Sequence, residues 1–343
     1  MAALFLCSAI PTFGSSNLLV DIKNGETLSI KKLDLETDIK VDGHLDEPLW
    51  QSLPAYDEFI VTTPETLGEV PHATLVRLAY SDQGFYVGVD LKQSKETLMK
   101  RLSGRDQRDI TRDTVSVTLD TSGEGRYGYW FSVSLGDSLQ DGTVLPESKF
   151  SSDWDGAWYG ASQQTDTGWT AEFFVPWGTV SMPAGGQDQQ AVRKLGFYMS
   201  RQVGYLDERW SWPGLLPSES KFLSVLQPIE VRGVSPKKQY AFFPFSAISR
   251  NRVDQETRYR VGTDFFWRPS SNLQLSGTVN PDFGSVESDD VVINLRATET
   301  FFPEKRLFFV EGQEVFVASP RADTRGSGVG NRGAPYTMVN TRR

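Results

Sequence analysis

Residues 74–91, TLVRLAYSDQGFYVGVDL, decide the fold class of this chain. Apolar and polar side chains alternate on either side of the turn-forming run 81–84, and a period of two residues is typical of β-strands. The stretch therefore predicts a β-hairpin with one face directed into a core. Its inward positions are Thr74, Val76, Leu78, Tyr80, Phe85, Val87, Val89 and Leu91.

The same alternation recurs in three later stretches, at residues 115–119, 127–135 and 169–175. They end at Asp120, at Gly136-Asp137 or at Pro176, and residues of these types interrupt strands. Aromatic residues make up 12% of the chain, and Gly, Ser, Thr and Asp separate short apolar runs, which favours strands over helices. The sequence therefore predicts an all-β chain built around a β-sandwich.

The length of 343 residues predicts roughly two domains, since one domain commonly holds about 100 to 200 residues. After residue 232 the short alternating stretches give way to longer ones. This change predicts a first domain at 33–232 and a second at 237–343. The formal net charge is -9 and no long block of Lys or Arg occurs. The chain is therefore not expected to bind nucleic acid, because phosphate binding needs clustered cations.

Residues 1–16 predict the remnant of an export signal, because an apolar run is followed by small and polar residues. The segment lacks the basic start of such a signal, and a hydrophobic terminus is the alternative. It contains Cys7, the only cysteine, and the bulky Leu6 before it argues against lipid attachment. An exported protein without disulfides suits a bacterial periplasm or envelope. No stretch approaches the ~20 apolar residues of a membrane helix.

Four segments together resemble the family 9 carbohydrate-binding modules. They are IKVDGHLDEPLW at 39–50, GFYVGVDL at 84–91, DTVSVTLDT at 113–121 and GWTAEFFVPW at 168–177. The resemblance covers most of residues 33–232. It implies a jelly-roll-like sandwich that binds an oligosaccharide or polysaccharide with aromatic platforms, often with structural calcium.

The candidate sugar contacts are aromatic rings with polar neighbours, since sugars present apolar C–H faces beside their hydroxyls. Trp154 and Trp158 lie in a turn-rich stretch, and Trp210 and Trp212 share one side of a strand. The alternative is that these rings fill the ends of the sandwich. Trp50, at the start of a brief helix, is predicted to anchor the core. The predicted carbohydrate-binding residues are Trp154, Trp158, Arg201, Glu208, Trp210 and Trp212.

Four acidic residues in loops offer the hard oxygen ligands that calcium takes, although their spacing is not that of an EF-hand. Solvated turn acids are the alternative at each position. The calcium candidates are Asp120, Glu124, Asp153 and Asp155.

Catalytic motifs are not evident in the sequence. The two histidines, His44 and His72, lie in separate turn contexts, and there is no G-x-S-x-G elbow, H-E-x-x-H helix or P-loop. Three hypotheses remain: a binding protein without catalysis, a glycoside hydrolase that a family 9 module targets to its substrate, and a haem-binding sandwich with a His or Met ligand.

The second domain shows longer alternating segments, at 259–267 and 273–279, with apolar residues on one side. Apolar-out, polar-in alternation is typical of outer-membrane barrels, and a soluble sheet with one wet face has the same period. The stretches NPDFGSVESDDVVINL at 280–295 and ETFFPEKRLFFVEG at 299–312 resemble the start of a barrel in bacterial outer-membrane proteins that carry a family 9-like module.

This second resemblance implies the first strands of an incomplete antiparallel β-barrel, located in the outer membrane of a Gram-negative bacterium. The sandwich would then capture glycans, or aid their uptake, at the outer membrane or in the periplasm. The acids of 280–290 and the triplet 304–306 would be directed into a polar barrel interior. Because a closed barrel needs more strands than follow residue 312, the sequence is predicted to be a fragment.

Overall fold

The computed structural model describes residues 26–34, 39–107, 110–152, 154–183, 191–234, 239–250, 257–270 and 273–280. Nearly all of the regular structure in these ranges is β-strand, as the alternation predicts. The predicted signal segment 1–16 and the stretch 281–343 lie outside the described residues. None of the helices in the described part of the chain is long and apolar enough to cross a membrane.

The described strands are numbered in chain order. They are β1 (Leu28–Ser29), β2 (Lys31–Lys32), β3 (Ile60–Thr63), β4 (Thr74–Tyr80), β5 (Gly84–Lys92), β6 (Thr114–Asp120), β7 (Gly128–Ser134), β8 (Leu139–Leu145), β9 (Lys149–Ser151), β10 (Tyr159–Thr165), β11 (Gly168–Pro176), β12 (Val192–Val203), β13 (Glu208–Trp212), β14 (Gln227–Arg232), β15 (Gln239–Arg250), β16 (Thr257–Ser270) and β17 (Leu273–Val279). The helix α1 spans Pro48–Ser52, and short 3₁₀ helices span Lys95–Thr97 and Leu223–Val225.

Two sheets form the β-sandwich. The larger, nine-stranded sheet has the order β1-β14-β12-β6-β7-β8-β9, and β13 joins it between β12 and β3. The smaller sheet has the order β10-β11-β5-β4-β2. Strand β12 pairs with β6 on one side, and on the other side with β14 and then β13. The predicted β-sandwich is confirmed.

A single large core fills the space between the sheets, with contributions from nearly every strand of both. The predicted hairpin is β4 and β5, paired from Thr74↔Leu91 to Tyr80↔Phe85. All eight inward positions predicted for it are at most 3% exposed. Period-two alternation therefore identified this hairpin and its buried face correctly.

Helix α1 lies on the outer face of the smaller sheet, where it forms a second apolar cluster with Ala79 and Tyr86. Proline at the first helical position favours a helix start there. Trp50 is 1% exposed, so its predicted role as an anchor is confirmed. Its ring covers Gly88, where a Cβ atom would stand 2.8 Å from the indole. The close approach of helix and sheet therefore depends on glycine at this position.

The buried carboxylate of Glu172 on β11 holds the segment before α1 against the same sheet. It accepts hydrogen bonds from the backbone N–H of Asp42 (3.0 Å) and Gly43 (2.8 Å) and from Nε1 of Trp50 (3.0 Å). Burial raises the pKa of Glu172 to about 7, against the lowering effect of these donors. One acid on a central strand thus fixes both the turn and the helix.

Strands β15, β16 and β17 form a separate antiparallel sheet with one strongly apolar face. The register places Tyr240 opposite Trp267 and Ile248 opposite Tyr259 on this face. The large side chains of the face are well exposed, which is unusual for a contiguous apolar surface. They are Tyr240, Phe242, Ile248, Tyr259, Val261, Trp267, Leu275 and Val279.

Candidate functional site

Trp158 is buried in the core, at 5% exposure, and not on an open platform. Its ring stacks on Phe173 with centroids 5.9 Å apart and meets the edge of Phe131 at 5.1 Å. Trp154 is half-buried and packs against Phe131 and Tyr129. The exposed ring face expected of Trp158 is therefore corrected to a packing position, because neighbouring rings already cover it.

Trp210 and Trp212 share one side of β13, as predicted, and that side faces the core. Trp210 is fully buried, and Trp212 stacks on Tyr56 with centroids 5.0 Å apart. The expectation that these two rings are exposed sugar platforms is corrected as well. The alternative, that the rings fill the sandwich, describes their position.

Arg201 on β12 is also fully buried and contacts the Trp210 ring, with its guanidinium carbon 5.0 Å from the ring centroid. Nη1 donates to the Ala73 carbonyl and to Thr74 Oγ1, and Nη2 donates to the Lys92 carbonyl and to Gln93 Oε1. Burial lowers the pKa of Arg201 to about 10. The group therefore links the two sheets and is not exposed to an external ligand.

Glu208 is half-buried and accepts a hydrogen bond from Nε1 of Trp210 at 2.8 Å. The structure thus brings Arg201, Glu208 and Trp210 together around one buried ring. Trp154 and Trp158 instead meet at Phe131.

The calcium candidates are engaged in other interactions where the structure describes them. Asp120 is buried, and its carboxylate accepts four hydrogen bonds from its own turn, from Ser122, Gly123 and Gly125. Glu124 pairs with Arg126 at 2.8 Å.

Asp155 pairs with Arg105 at 2.6 Å, and the same guanidinium contacts the buried Asp141. Asp153 lies outside the described residues. Across the described ranges, no three His, Cys, Asp or Glu side chains are grouped as a metal ion would need. Turn amides or arginines contact the carboxylates of Asp120, Glu124 and Asp155, and calcium binding at the four candidates stays a prediction.

Both histidines contact polar side chains. His72 Nε2 lies 2.6 Å from Tyr205 Oη, and His44 Nε2 lies 3.1 Å from Gln163 Nε2. Burial and the nearby Arg201 lower the pKa of His72.

A groove with a volume of about 830 Å³ crosses the outer face of the larger sheet. Its size lies in the range of known ligand sites. The strands β6, β7, β8, β12 and β13 provide its floor, and the loops after β13 and before β6 provide its rims. Its lining includes Arg112, Thr114, Ser116, Thr118, Trp130, Ser132, Gln140, Phe150, Tyr198, Ser200, Gln202, Asp207, Arg209, Leu215, Glu219 and Phe222.

The floor carries a row of short polar side chains, one from each of four neighbouring strands. The register places Gln140 opposite Ser132, Ser132 opposite Ser116, and Ser116 opposite Ser200. The hydroxyls of Ser116 and Ser132 are 2.5 Å apart. We call these four residues the polar row, and it runs across the strands.

An apolar wall flanks the polar row on one side. Trp130 and Tyr198 are both paired with Thr118, two residues along the strands from the polar row, and the ring of Phe222 meets Tyr198 edge-on at 4.9 Å. Phe150 adds a ring that is 51% exposed and lies 5.3 Å from Phe222. Trp130 is held in place because its Nε1 donates to the Ser151 carbonyl at 3.1 Å. Tyr198 is itself only 8% exposed because it packs against Phe222, so Trp130 and Phe150 provide the open aromatic surface beside the polar row.

The charges that line the groove balance each other. Arg112 is buried and donates to the carbonyls of Arg101 and Gln107 and to Ser103. Burial lowers its pKa. The other three, Asp207, Arg209 and Glu219, lie exposed at the rim. Two cations and two anions leave the lining without net charge.

The aromatic residues of the wall were not predicted from the sequence, since a ring within or beside a strand is as readily a core residue. A signal was present in the stretch DTVSVTLDT, whose outward positions Thr114, Ser116 and Thr118 all carry hydroxyls. Hydroxyls at the outward positions of β7 and β12 repeat it.

Comparisons with known proteins cover the two parts of the chain separately. Residues 236–320 match a family described as a Domain of unknown function (DUF5916). No curated protein matches the chain in sequence.

Solved structures similar to this chain share 10 to 13% of its sequence. A carbohydrate binding module family 9 from Caldicellulosiruptor kristjanssonii in complex with cellotriose has 10% identity and a TM-score of 0.41, covering 61% of this chain and 95% of that chain. A putative carbohydrate-binding protein from Bacteroides uniformis has 13% identity and a TM-score of 0.45, covering 60% and 99%. A Caldicellulosiruptor kristjanssonii family 9 module in complex with glucose has 12% identity and a TM-score of 0.38, covering 61% and 97%.

Proposed function

We propose that the sandwich formed by residues 26–234 binds a carbohydrate in the groove across its larger sheet. One observation carries the proposal: the aromatic wall runs parallel to the polar row along the same groove. A sugar ring has apolar C–H faces and a rim of hydroxyls, so it is complementary to both surfaces at once. The short hydroxyl and amide side chains of the row both donate and accept hydrogen bonds, as sugar hydroxyls do.

Calorimetry with the full chain tests this proposal, using a ligand chosen on an array of plant, algal and bacterial glycans. Phe150→Ala is expected to weaken binding by ~1 kcal/mol or more, about fivefold, through loss of ring contact. The matched control is Tyr159→Ala, because Tyr159 is another well exposed ring but belongs to the opposite sheet. Equal losses in both variants, or no binding to any glycan on the array, would contradict the proposal. Turnover of the bound glycan would instead show a hydrolase.

We also propose that the apolar face of β15–β17 contacts lipid of an outer membrane, so that the sandwich captures glycans at the bacterial envelope. Strands β15 and β16 hold 12 and 14 residues, and about 9 to 11 suffice for a tilted crossing. The face is apolar, and Tyr240 and Trp267 form an aromatic pair near one end, as interfacial rings do.

Adjacent substitutions on β17 test this second proposal, because Val279 belongs to the apolar face and Thr278 to the other. Val279→Asp is expected to reduce the membrane-bound part of the full chain by roughly half or more, since a carboxylate is costly against lipid. Thr278→Asp introduces the same charge on the opposite face and is expected to have little effect. Fractionation of cell envelopes measures both variants. A full chain that stays in the soluble fraction without detergent would refute lipid contact.

A further inference from the structure

We propose that the groove holds an internal segment of a neutral glycan chain laid across the strands, and not the end of a chain. This inference rests on the proposed function and specifies its ligand. It is based on the direction of the polar row, on the similar polar side chains along that row, and on the equal numbers of cations and anions that line the groove.

The direction follows from the register. Neighbouring strands lie about 4.8 Å apart, so the distance from Gln140 on β8 to Arg209, at the rim on β13, crosses four spacings, about 19 Å. A ligand that contacts both residues must run across the strands. A glycan of about four or five sugar units has this reach, if each unit covers roughly one strand spacing.

The width of the groove agrees with this direction. Trp130 and Tyr198 stand two residues along their strands from Ser132 and Ser200, which separates the wall from the polar row by about 7 Å. On the wall side, Thr118 lies between these two rings on β6, and Gly142 is opposite Trp130 on β8. An extended chain therefore meets the ring of Trp130 on one edge and the polar row on the other.

The repetition argues against recognition of a chain end. Binding of an end requires polar groups concentrated at one point of the site. Here the half-buried side chains of Ser116, Ser200 and Gln140 lie on three different strands, and Ser132 is buried and bonded to Ser116, so the accessible polar groups are spread across the sheet and not concentrated at one point. A site of this kind binds more strongly as more units occupy it.

The charges favour a neutral chain. Arg112 already donates to three acceptors in its own loop, so Arg209 is the cation at the rim. Asp207 and Glu219 line the same groove and would repel carboxylates or sulfates on a ligand. A polyanionic glycan would gain one cation and meet two anions.

The full chain is first applied to cellulose, β-glucan, xylan and mannan, and to alginate and polygalacturonate as acidic polymers. Oligosaccharides of one to six units of the bound polymer are then titrated by calorimetry. Affinity is expected to rise with each unit up to about four or five and then to level off, in step with the strands of the floor. Reduction of the terminal sugar of the hexasaccharide to its alditol is expected to change its affinity less than about twofold, because few contacts involve the end.

Two variants at opposite ends of the groove give an independent measure. Gln140→Ala and Arg209→Ala change side chains at the surface of the sheet, so both proteins are expected to fold. Each should weaken hexasaccharide binding by roughly threefold, and a disaccharide should respond to one of them at most.

Three outcomes would overturn this inference while the proposed function stands. They are maximal affinity at one or two units, loss of binding when the chain end is reduced, and binding of an acidic polymer only. Absence of binding to every polymer would instead refute the proposed function itself.

Discussion

Replacing Arg201 with Met is expected to lower the free energy of unfolding by about 3 to 5 kcal/mol, the loss typical when one partner of a buried polar network is removed. The guanidinium is fully buried and donates to four acceptors on Ala73, Thr74, Lys92 and Gln93. A methionine fills similar space but removes the donor of all four of these hydrogen bonds from the core.

Asp113 contributes to the same loss of unfolding free energy. Its carboxylate accepts hydrogen bonds from Gln93, Met99 and Gly204. Burial raises the pKa of Asp113, and the charge of Arg201 opposes that rise. Removal of Arg201 therefore takes away a cation that stabilises a buried anion.

Urea unfolding followed by tryptophan fluorescence measures the effect. Arg126→Met is the matched control, because Arg126 is exposed and pairs with the exposed Glu124, so a change below about 0.5 kcal/mol is expected. A loss below about 1 kcal/mol in the Arg201 variant, together with weaker sugar binding, would return Arg201 to the role of ligand contact that the sequence suggested.

The second large effect concerns Glu172 and pH. Burial raises the pKa of Glu172 to about 7 in the folded chain, whereas in the unfolded chain this carboxyl has its ordinary pKa of 4.5. Between these two pH values the folded chain therefore binds a proton that the unfolded chain has released. Stability from this group is therefore fully present below about pH 4.5 and is lost as pH rises to about 7. The linkage relation sets the loss at up to about 3 kcal/mol.

Glu172→Gln isolates this contribution, since glutamine has the same shape and does not titrate. Other buried acids, such as Asp141 with a pKa raised to about 6 by burial, remain in both proteins and cancel in the comparison. The stability of the wild type relative to the variant should fall between pH 5 and pH 7.5. Urea unfolding at four pH values measures it, and a relative stability that rises over this interval would contradict the assignment.

The sandwich could be predicted from the sequence because alternation reports burial directly. Inward positions such as Val87 and Val89 are apolar at every second residue, and the turn at 81–84 marks where the chain reverses direction. The buried position of Trp50 was also predictable, since Pro48 starts a short helix two residues before it and a large aromatic ring is more stable when buried.

The site was less predictable, because exposure of an aromatic ring depends on what packs against it from distant parts of the chain. Trp210 and Phe150 both follow polar residues, yet the first is fully buried and the second is half exposed. The difference arises from the neighbours of β13 across the sandwich, including Arg201. Likewise, the polar row exists only after four strands align in register, which local sequence does not specify.

Alternate residues of β6, β7 and β12 face the core or the groove, so each strand contributes to both. Val115, Val117 and Phe131 face the core, while Ser116, between the two valines, and Ser132, next to Phe131, line the groove. Substitutions at the groove positions leave the core residues in place. Under the proposed function, single substitutions at these positions therefore change the preferred ligand one strand at a time and leave the scaffold intact.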